Sequence, residues 1–248
     1  MDRVEILGVS FDNVTMGKAL AHLEAVVQSE KPEYIVTPNP EMVYACYQDP
    51  SLYPLLRDAG LCVPDGIGVI YASRILGTPL SERVPGIELG EALIKWASEN
   101  GKRVFLLGAK PGIAAQAGEK LREKYPGLVI AGTHDGYFKE DPPVAAQIRQ
   151  AQADIAFVCM GFPRQEKFMR TYLEESGAKL MLGLGGSLDV FAGTVNRAPD
   201  AFNRLGLEWF YRLLKEPRRI GRMMKLPAFL FTVIGRKLTK ADKREVKK

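Results

Sequence analysis

Short apolar runs rich in β-branched residues alternate with helical patterns along most of this chain. The runs predict strands at Val4–Val9, Tyr34–Thr37, Arg103–Leu107, Val129–Gly132, Asp154–Met160 and Lys179–Leu184. The apolar spacing between them predicts helices near 16–29, 86–100, 111–124, 143–151 and 163–176. Continuous apolar strands separated by helices are typical of a parallel sheet that is covered on both faces. We therefore predict an α/β fold with a Rossmann-like, mostly parallel sheet.

The charge distribution divides the chain near residue 195. Residues 197–248 carry 15 Lys and Arg against 5 Asp and Glu, whereas the preceding part carries 19 basic and 24 acidic side chains. The ten-residue apolar stretch Leu226–Gly235 has basic residues on both sides, which suits the interface of an anionic membrane. Packing of this stretch on the rest of the protein is the alternative. We predict an α/β body over 1–195 and a basic helical, membrane-associating appendage over 196–248.

Several absences limit the kind of site. The chain has 3 isolated cysteines and 2 histidines, so neither a disulfide framework nor a zinc site is expected. No signal peptide or membrane-spanning run is readable, which gives the cytosol as the expected compartment. The sequence has no GxGxxG motif, no Walker A motif and no Asp-x-Asp pair. Arginines and helix N-termini would therefore have to neutralise any departing diphosphate.

Polar groups follow the predicted strands, where open α/β sheets bind their ligands. Asp65 follows an apolar run and stands beside Gly66, a placement that suits a general base acting on a hydroxyl. The alternative is an N-cap for the helix that starts near Gly68.

The segment that ends the second predicted strand also carries polar groups. Thr37 and Asn39 lie beside prolines that favour extended backbone, which would point both side chains outwards. An ordinary turn with a capping Asn is the alternative. Arg83 precedes a predicted helix, where an anion could be bound by both, although a surface Arg is commoner.

The last two strands are followed by further polar groups. Gln165 opens a helix, and its amide can both donate to and accept from a sugar hydroxyl. The alternative places Gln165 and Glu166 in solvent in the first helical turn. Gly185 and Gly186 expose backbone N–H groups after the final strand, and Asp189 could accept from ribose hydroxyls.

Seven short motifs occur in one order along the chain. They are Thr37-Pro38-Asn39, Pro64-Asp65-Gly66, Arg83-Val84-Pro85-Gly86, Gly161–Glu166, Gly185–Asp189, Arg197-Ala198-Pro199 and Gly206–Trp209. This set resembles the WecG/TagA/CpsF glycosyltransferases, glycosyltransferase family 26, over about residues 3–227. It looks closest to the TagA branch, whose members act in wall teichoic acid synthesis.

The resemblance implies an inverting, metal-independent enzyme that needs no cofactor. Such an enzyme transfers N-acetylmannosamine from UDP-ManNAc to the C4 hydroxyl of GlcNAc in undecaprenyl-diphosphate-GlcNAc, with a β-1,4 linkage. The implied partners are a UDP-sugar donor, a polyprenyl-diphosphate-linked GlcNAc acceptor and an anionic membrane surface, with no nucleic acid. The implied location is cytoplasmic, peripheral on the inner face of the cell membrane.

The resemblance also assigns roles at the acceptor side of the site. Asp65 would be the catalytic base. Thr37, Asn39 and Gln165 would line the pocket for sugar and acceptor, and Arg83 would meet a diphosphate.

On the donor side, the resemblance implies that Gly185, Gly186 and Asp189 face the nucleoside. Three arginines of the appendage would close over the donor diphosphate: Arg212, Arg219 and Arg222. The site would then be completed only at the membrane.

Three other interpretations stay open. The donor could be ManNAc uronic acid, glucuronic acid or another hexose, because sugar choice depends on a few pocket contacts. The chain could be a non-catalytic, membrane-docked module that binds a nucleotide sugar or a lipid diphosphate. The basic tail also permits nucleic-acid binding, although its aromatic residues fit helix packing better. A homo-oligomer, either a dimer or a trimer, is expected.

Overall fold

The computed structural model describes residues 2–196, Phe202 and 225–245, with the side chains of 240–245 left undescribed. The strands are β1 (Arg3–Ile6), β2 (Val9–Asp12), β3 (Glu33–Val36), β4 (Leu61–Cys62), β5 (Arg103–Gly108), β6 (Val129–His134), β7 (Ile155–Cys159) and β8 (Leu180–Gly183). Within the described ranges, six of them form one parallel sheet in the order β4-β3-β8-β7-β5-β6. The predicted parallel α/β fold is therefore confirmed.

The helices fill the connections between these strands. They are α1 (Met16–Gln28), α2 (Pro40–Gln48), α3 (Tyr53–Arg57), α4 (Ile67–Leu76), α5 (Gly86–Glu99), α6 (Ile113–Lys124), α7 (Asp141–Gln150), α8 (Arg164–Ser176), α9 (Ser187–Phe191) and α10 (Lys225–Glu245), with a 3₁₀ turn at Pro50–Leu52. The predicted helices correspond to α1, α5, α6, α7 and α8, so all of them are confirmed.

Two hydrophobic cores cover the two faces of the sheet. Helices α1, α5, α6 and α9 pack on one face, and α2, α4, α7, α8 and α10 pack on the other. The chain leaves β5 towards the first face and leaves the neighbouring β7 towards the second. Ligands of open α/β sheets bind where such connections diverge, outside the carboxyl ends of the strands.

The first predicted strand is wrong as a single element. Val4–Val9 is divided into β1 and β2, which pair antiparallel as a hairpin outside the main sheet. The chain reverses at Leu7 and Gly8, whose φ angles of 48° and 88° are those of the two-residue turns that match strand twist. Leu7 is itself apolar and buried, so the apolar run continues through the turn. The composition of the run therefore does not show where the chain reverses.

The C-terminal apolar stretch is part of α10, and one side of this helix packs on the body. Phe229 and Val233 are fully buried against α2 and α4. A Cβ atom on Gly68 of α4 would lie 2.6 Å from Leu226 Cδ1, so the glycine permits this close approach. Packing on the body, the alternative interpretation, thus holds for one side of the helix.

The opposite side of α10 is open to solvent. Phe231, Ile234 and Leu238 are 74%, 40% and 64% exposed, at a spacing that places them on one side of the helix. Membrane contact through this side stays a prediction. In the described part of the chain, α10 and the other helices fall short of the length and apolarity that a bilayer span requires.

Candidate active site

The loops after β3 and β4 are joined to each other and to the start of α5. The backbone N–H of Asp65 donates to Pro38 O at 3.2 Å, and Val84 N–H donates to Pro64 O at 2.9 Å. The N–H of Gly86, the first residue of α5, donates to Asp65 Oδ2 at 3.3 Å. These bonds fix the carboxylate at the carboxyl edge of the sheet.

The alternative role of Asp65 as the N-cap of α4 is wrong. Gly66, with φ of 89°, precedes α4 and provides no side-chain cap. The Asp65 carboxylate instead lies at the N-terminus of α5, where the positive end of the helix dipole favours a negative charge. Asp65 is only half-buried, and a carboxylate that solvent can reach is placed as a general base requires.

Thr37 and Asn39 both form hydrogen bonds within the protein. The Thr37 side chain is buried, and its hydroxyl donates to Gly183 O at 3.0 Å, which links the ends of β3 and β8. Asn39 Oδ1 accepts from Met42 N–H at 3.1 Å, so the capping alternative is confirmed for this residue. Its side-chain NH₂ has no partner among the described residues and is left for a ligand. Pocket lining by both residues stays a prediction.

Arg83 lies in the loop that leads into α5. Its neighbour Val84 is bonded to the Asp65 loop, so the backbone of Arg83 lies at the same edge of the sheet. Arg83 is half-buried, and it has no hydrogen-bond or ion-pair partner within the described ranges. A partly desolvated arginine without an ion-pair partner in these ranges is suited to an anionic ligand.

Gln165 and Glu166 are buried, so the alternative that placed them in solvent is wrong. Gln165 is 4% exposed, and its Oε1 accepts the N–H groups of Gly161 at 3.0 Å and Gly185 at 3.1 Å. Its Nε2 donates to Glu166 Oε1 at 2.8 Å. One side chain thus joins the loops that follow β7 and β8.

The loop after β8 presents bare backbone. Gly185 has φ of 53°, and a Cβ atom at Gly185 or Gly186 would meet nothing within 4 Å. Asp189 is half-buried in the short helix α9, and its carboxylate has no hydrogen-bond or ion-pair partner in the described segments. The predicted nucleoside residues therefore all follow β8, on an open glycine loop and the short helix after it.

The two halves of the site face each other across the sheet edge. Strand β3 separates β4 from β8, so the Asp65 loop and the Gly185 loop lie about 10 Å apart at ordinary strand spacing. A carboxylate at one end and the open backbone of Gly186 at the other suit a base on one side and an anion on the other.

Part of the predicted site cannot be placed. Arg212, Arg219 and Arg222 lie outside the described residues. Across the residues that the structure does describe, no three His, Cys, Asp or Glu side chains come close enough to hold a metal ion. Independence from metal stays a prediction.

The sequence did not indicate the role of Glu166. An acidic residue in the first turn of a helix is common on the surface, where the helix dipole favours it. The only available signal is its position next to Gln165, at the point where a buried strand turns into a helix. That signal does not distinguish a buried carboxyl from a solvated one.

Comparison with known proteins identifies the family of this chain. The model of the Glycosyl transferase WecG/TagA/CpsF family matches residues 4–243. Proteins of Staphylococcus aureus strains MRSA252 and MW2 are each 40% identical over 248 residues, which cover 99% of this chain and 95% of theirs. Both are named N-acetylglucosaminyldiphosphoundecaprenol N-acetyl-β-D-mannosaminyltransferase. The chain therefore belongs to the WecG/TagA/CpsF glycosyltransferase family.

Proposed function

We propose that this chain transfers N-acetylmannosamine from UDP-ManNAc to the C4 hydroxyl of GlcNAc in undecaprenyl-diphosphate-GlcNAc. The observation that carries the proposal is the half-buried Asp65 carboxylate, held at the sheet edge by Gly86 N–H opposite the open loop at Gly185. The 40% identical relatives whose names describe this transfer support the choice of sugar and acceptor.

The chemistry is one displacement at the anomeric carbon of the donor. Asp65 takes the proton of the acceptor hydroxyl while that oxygen bonds to the anomeric carbon. The bond from this carbon to the diphosphate oxygen breaks, and UDP leaves with the electron pair. Attack from the face opposite UDP inverts the anomeric carbon and gives the β-1,4 linkage.

The departing diphosphate needs positive charge and N–H donors. Arg83 lies beside the Asp65 loop without a hydrogen-bond or ion-pair partner among the described residues, and the backbone of Gly186 faces open space. Donors that are fixed before the reaction stabilise developing charge without having to reorganise. Under this proposal Asp189 contacts the nucleoside, and the arginines of the appendage complete the charge around the diphosphate.

The lipid-linked acceptor brings the enzyme to the membrane. The exposed side of α10 combines Phe231, Ile234 and Leu238 with the neighbouring basic residues Arg236 and Lys237. Such a combination binds anionic bilayer surfaces through apolar burial and charge attraction. The same helix packs beside the Asp65 loop through Gly68, so membrane contact would place the active site next to its acceptor.

The direct test measures UDP release from UDP-ManNAc, with and without lipid-linked GlcNAc-diphosphate, in the presence of EDTA. Release that depends on the acceptor and survives the chelator is the expected result. Release with another UDP-hexose but not with UDP-ManNAc would replace the donor in the proposal. No release with any donor, despite binding of UDP, would indicate a binding module instead.

Asp65→Asn tests the base. Its rate of transfer should fall by about 10²- to 10⁴-fold, the usual contribution of a general base. Asp58→Asn is the matched control, because Asp58 pairs with Arg57 and Arg170 before β4, at the other end of that strand. Transfer by Asp65→Asn at the rate of this control would exclude Asp65 as the base.

A further inference from the structure

Glu166 is a buried acid that the proposed mechanism does not use. It is 0% exposed in the first turn of α8, and its Oε2 has no hydrogen-bond partner within the described part of the chain. The ionisable groups that face it are Tyr34 of β3 and Cys46 of α2, both of which are neutral near pH 7. Burial raises the pKa of Glu166 to about 7. A buried carboxyl without a cation costs stability, so packing does not account for its presence.

The one side-chain hydrogen bond of Glu166 fixes the orientation of the Gln165 amide. Glu166 Oε1 accepts from Gln165 Nε2 at 2.8 Å, and this leaves Gln165 Oε1 facing the opposite way. If the amide rotated by half a turn, its NH₂ group would point at two N–H donors and its oxygen at a carboxyl oxygen. An acceptor at position 166 thus selects one of the two amide orientations.

The selected orientation connects two loops at the donor end of the site. Gln165 Oε1 accepts from Gly161 N–H and Gly185 N–H, the first from the loop after β7 and the second from the loop after β8. Both glycines have positive φ, 80° and 53°, and at both a Cβ atom would meet nothing within 4 Å. These two stretches of backbone are therefore open to a ligand, and one buried amide sets their separation.

We infer that Glu166 is a positioning residue for the donor nucleotide, acting through Gln165 on the backbone at Gly161 and Gly185. The inference rests on the proposed function, since it takes the ligand of this edge to be a uridine diphosphate group. Glu166 touches neither substrate nor the reacting atoms. It holds the two loops at the spacing in which their open backbone surface receives the diphosphate and nucleoside.

Glu166→Met tests the inference by replacing the acceptor with an apolar side chain of similar length. Gln165 Nε2 is then buried without a partner, so the amide should move and UDP should bind about 10- to 100-fold more weakly. Glu166→Gln keeps an acceptor oxygen and should stay within about threefold of the wild type. Glu175→Met, on the exposed side of the same helix, is the matched control and should bind as the wild type does.

Two readouts separate positioning from a general loss of structure. Amide hydrogen exchange should accelerate in the peptides that contain Gly161 and Gly185, while the core strand β5 keeps its protection. At pH 8 the free energy of unfolding of Glu166→Met should be no lower than that of the wild type, because a buried charge has been removed. A variant that is equally stable yet binds UDP weakly is the signature of a positioning residue.

The outcomes are distinct. Wild-type protein that fails to bind UDP would overturn the proposed function itself, whatever the variants do. Wild-type binding with Glu166→Met within twofold of it would overturn the positioning role alone. If Glu166→Met does not fold, Glu166→Asp replaces it in the binding test, because the shorter side chain moves its carboxylate away from Nε2 by about one bond length. UDP binding by this variant within twofold of the wild type would likewise overturn the positioning role.

Discussion

The buried carboxyl of Glu166 should make the stability of this protein fall as pH rises. Burial raises the pKa of Glu166 from its ordinary value of 4.5 to about 7 in the folded state. Between these two values the folded chain holds a proton that the unfolded chain has released. The contribution of Glu166 to the free energy of unfolding is therefore fully present below pH 4.5 and is lost as pH rises through 7.

The magnitude follows from the size of the shift. Each unit of pKa difference corresponds to about 1.4 kcal/mol, so the full effect is about 3 kcal/mol, of which about 2 to 3 kcal/mol falls between pH 5 and pH 8. Cys46, whose pKa burial raises to about 12, and Tyr34, whose pKa is also raised, do not titrate in this range. These two neighbours of Glu166 therefore add nothing to the pH slope in this range.

Glu166→Gln isolates this contribution, because it keeps the volume and an acceptor while removing the titration. Urea unfolding of both proteins at pH 5, 6, 7 and 8, followed by tryptophan fluorescence, gives the difference in free energy of unfolding at each pH. Other titrating groups affect both proteins alike and cancel in this difference. The free energy of unfolding of the variant, relative to that of the wild type, should rise by about 2 to 3 kcal/mol between pH 5 and pH 8. A difference that stays constant within 1 kcal/mol would mean that Glu166 ionises as a solvated acid does.

Three further predictions concern α10 and the glycine loop. Phe229→Ala should lower the free energy of unfolding by about 3–5 kcal/mol, since this ring is fully buried. Phe231 is 74% exposed on the same helix, so Phe231→Ala should change that free energy by less than about 0.5 kcal/mol. Equal effects of the two substitutions would contradict the packing of α10. Gly185→Ala places a side chain at φ of 53°, which costs about 1 kcal/mol, so UDP affinity should drop in a titration despite the open space there. Truncation after Val195 should leave a folded but less stable body that neither transfers sugar nor sediments with anionic phospholipid vesicles; transfer at the full-length rate would show that the appendage is dispensable.

Features that depend on local pattern were predictable from the sequence. The sheet strands and helices show continuous apolar runs or helical spacing, and the ligand edge follows from the rule that parallel strands end at one side. Asp65, Arg83 and the Gly185 loop were all expected at this edge, and the structure brings them there. The family resemblance, more than any spacing, supplied the proposed reaction.

Features that depend on distant contacts were not predictable. The hairpin of β1 and β2 interrupts one apolar run, and the two-residue strand β4 is too short to produce a pattern. The burial of Phe229 depends on a glycine 161 positions earlier in the chain, Gly68, which lets α10 approach α4. Sequence patterns show that a helix has an apolar side, but they do not show which surface covers it.

The two carboxyl groups of the site illustrate how environment decides role. Asp65 is half-buried, accepts an N–H from Gly86 and lies at the positive end of α5, so a charged form is stabilised where an acceptor hydroxyl can reach it. Glu166 has no ion-pair partner among the described residues and no exposed surface, so no substrate proton can reach it without opening α8. When two acids of one site have such different surroundings, one can transfer protons while the other has a structural role. A base must be accessible to the proton it takes, and of these two carboxyl groups Asp65 is half-buried whereas Glu166 is fully buried.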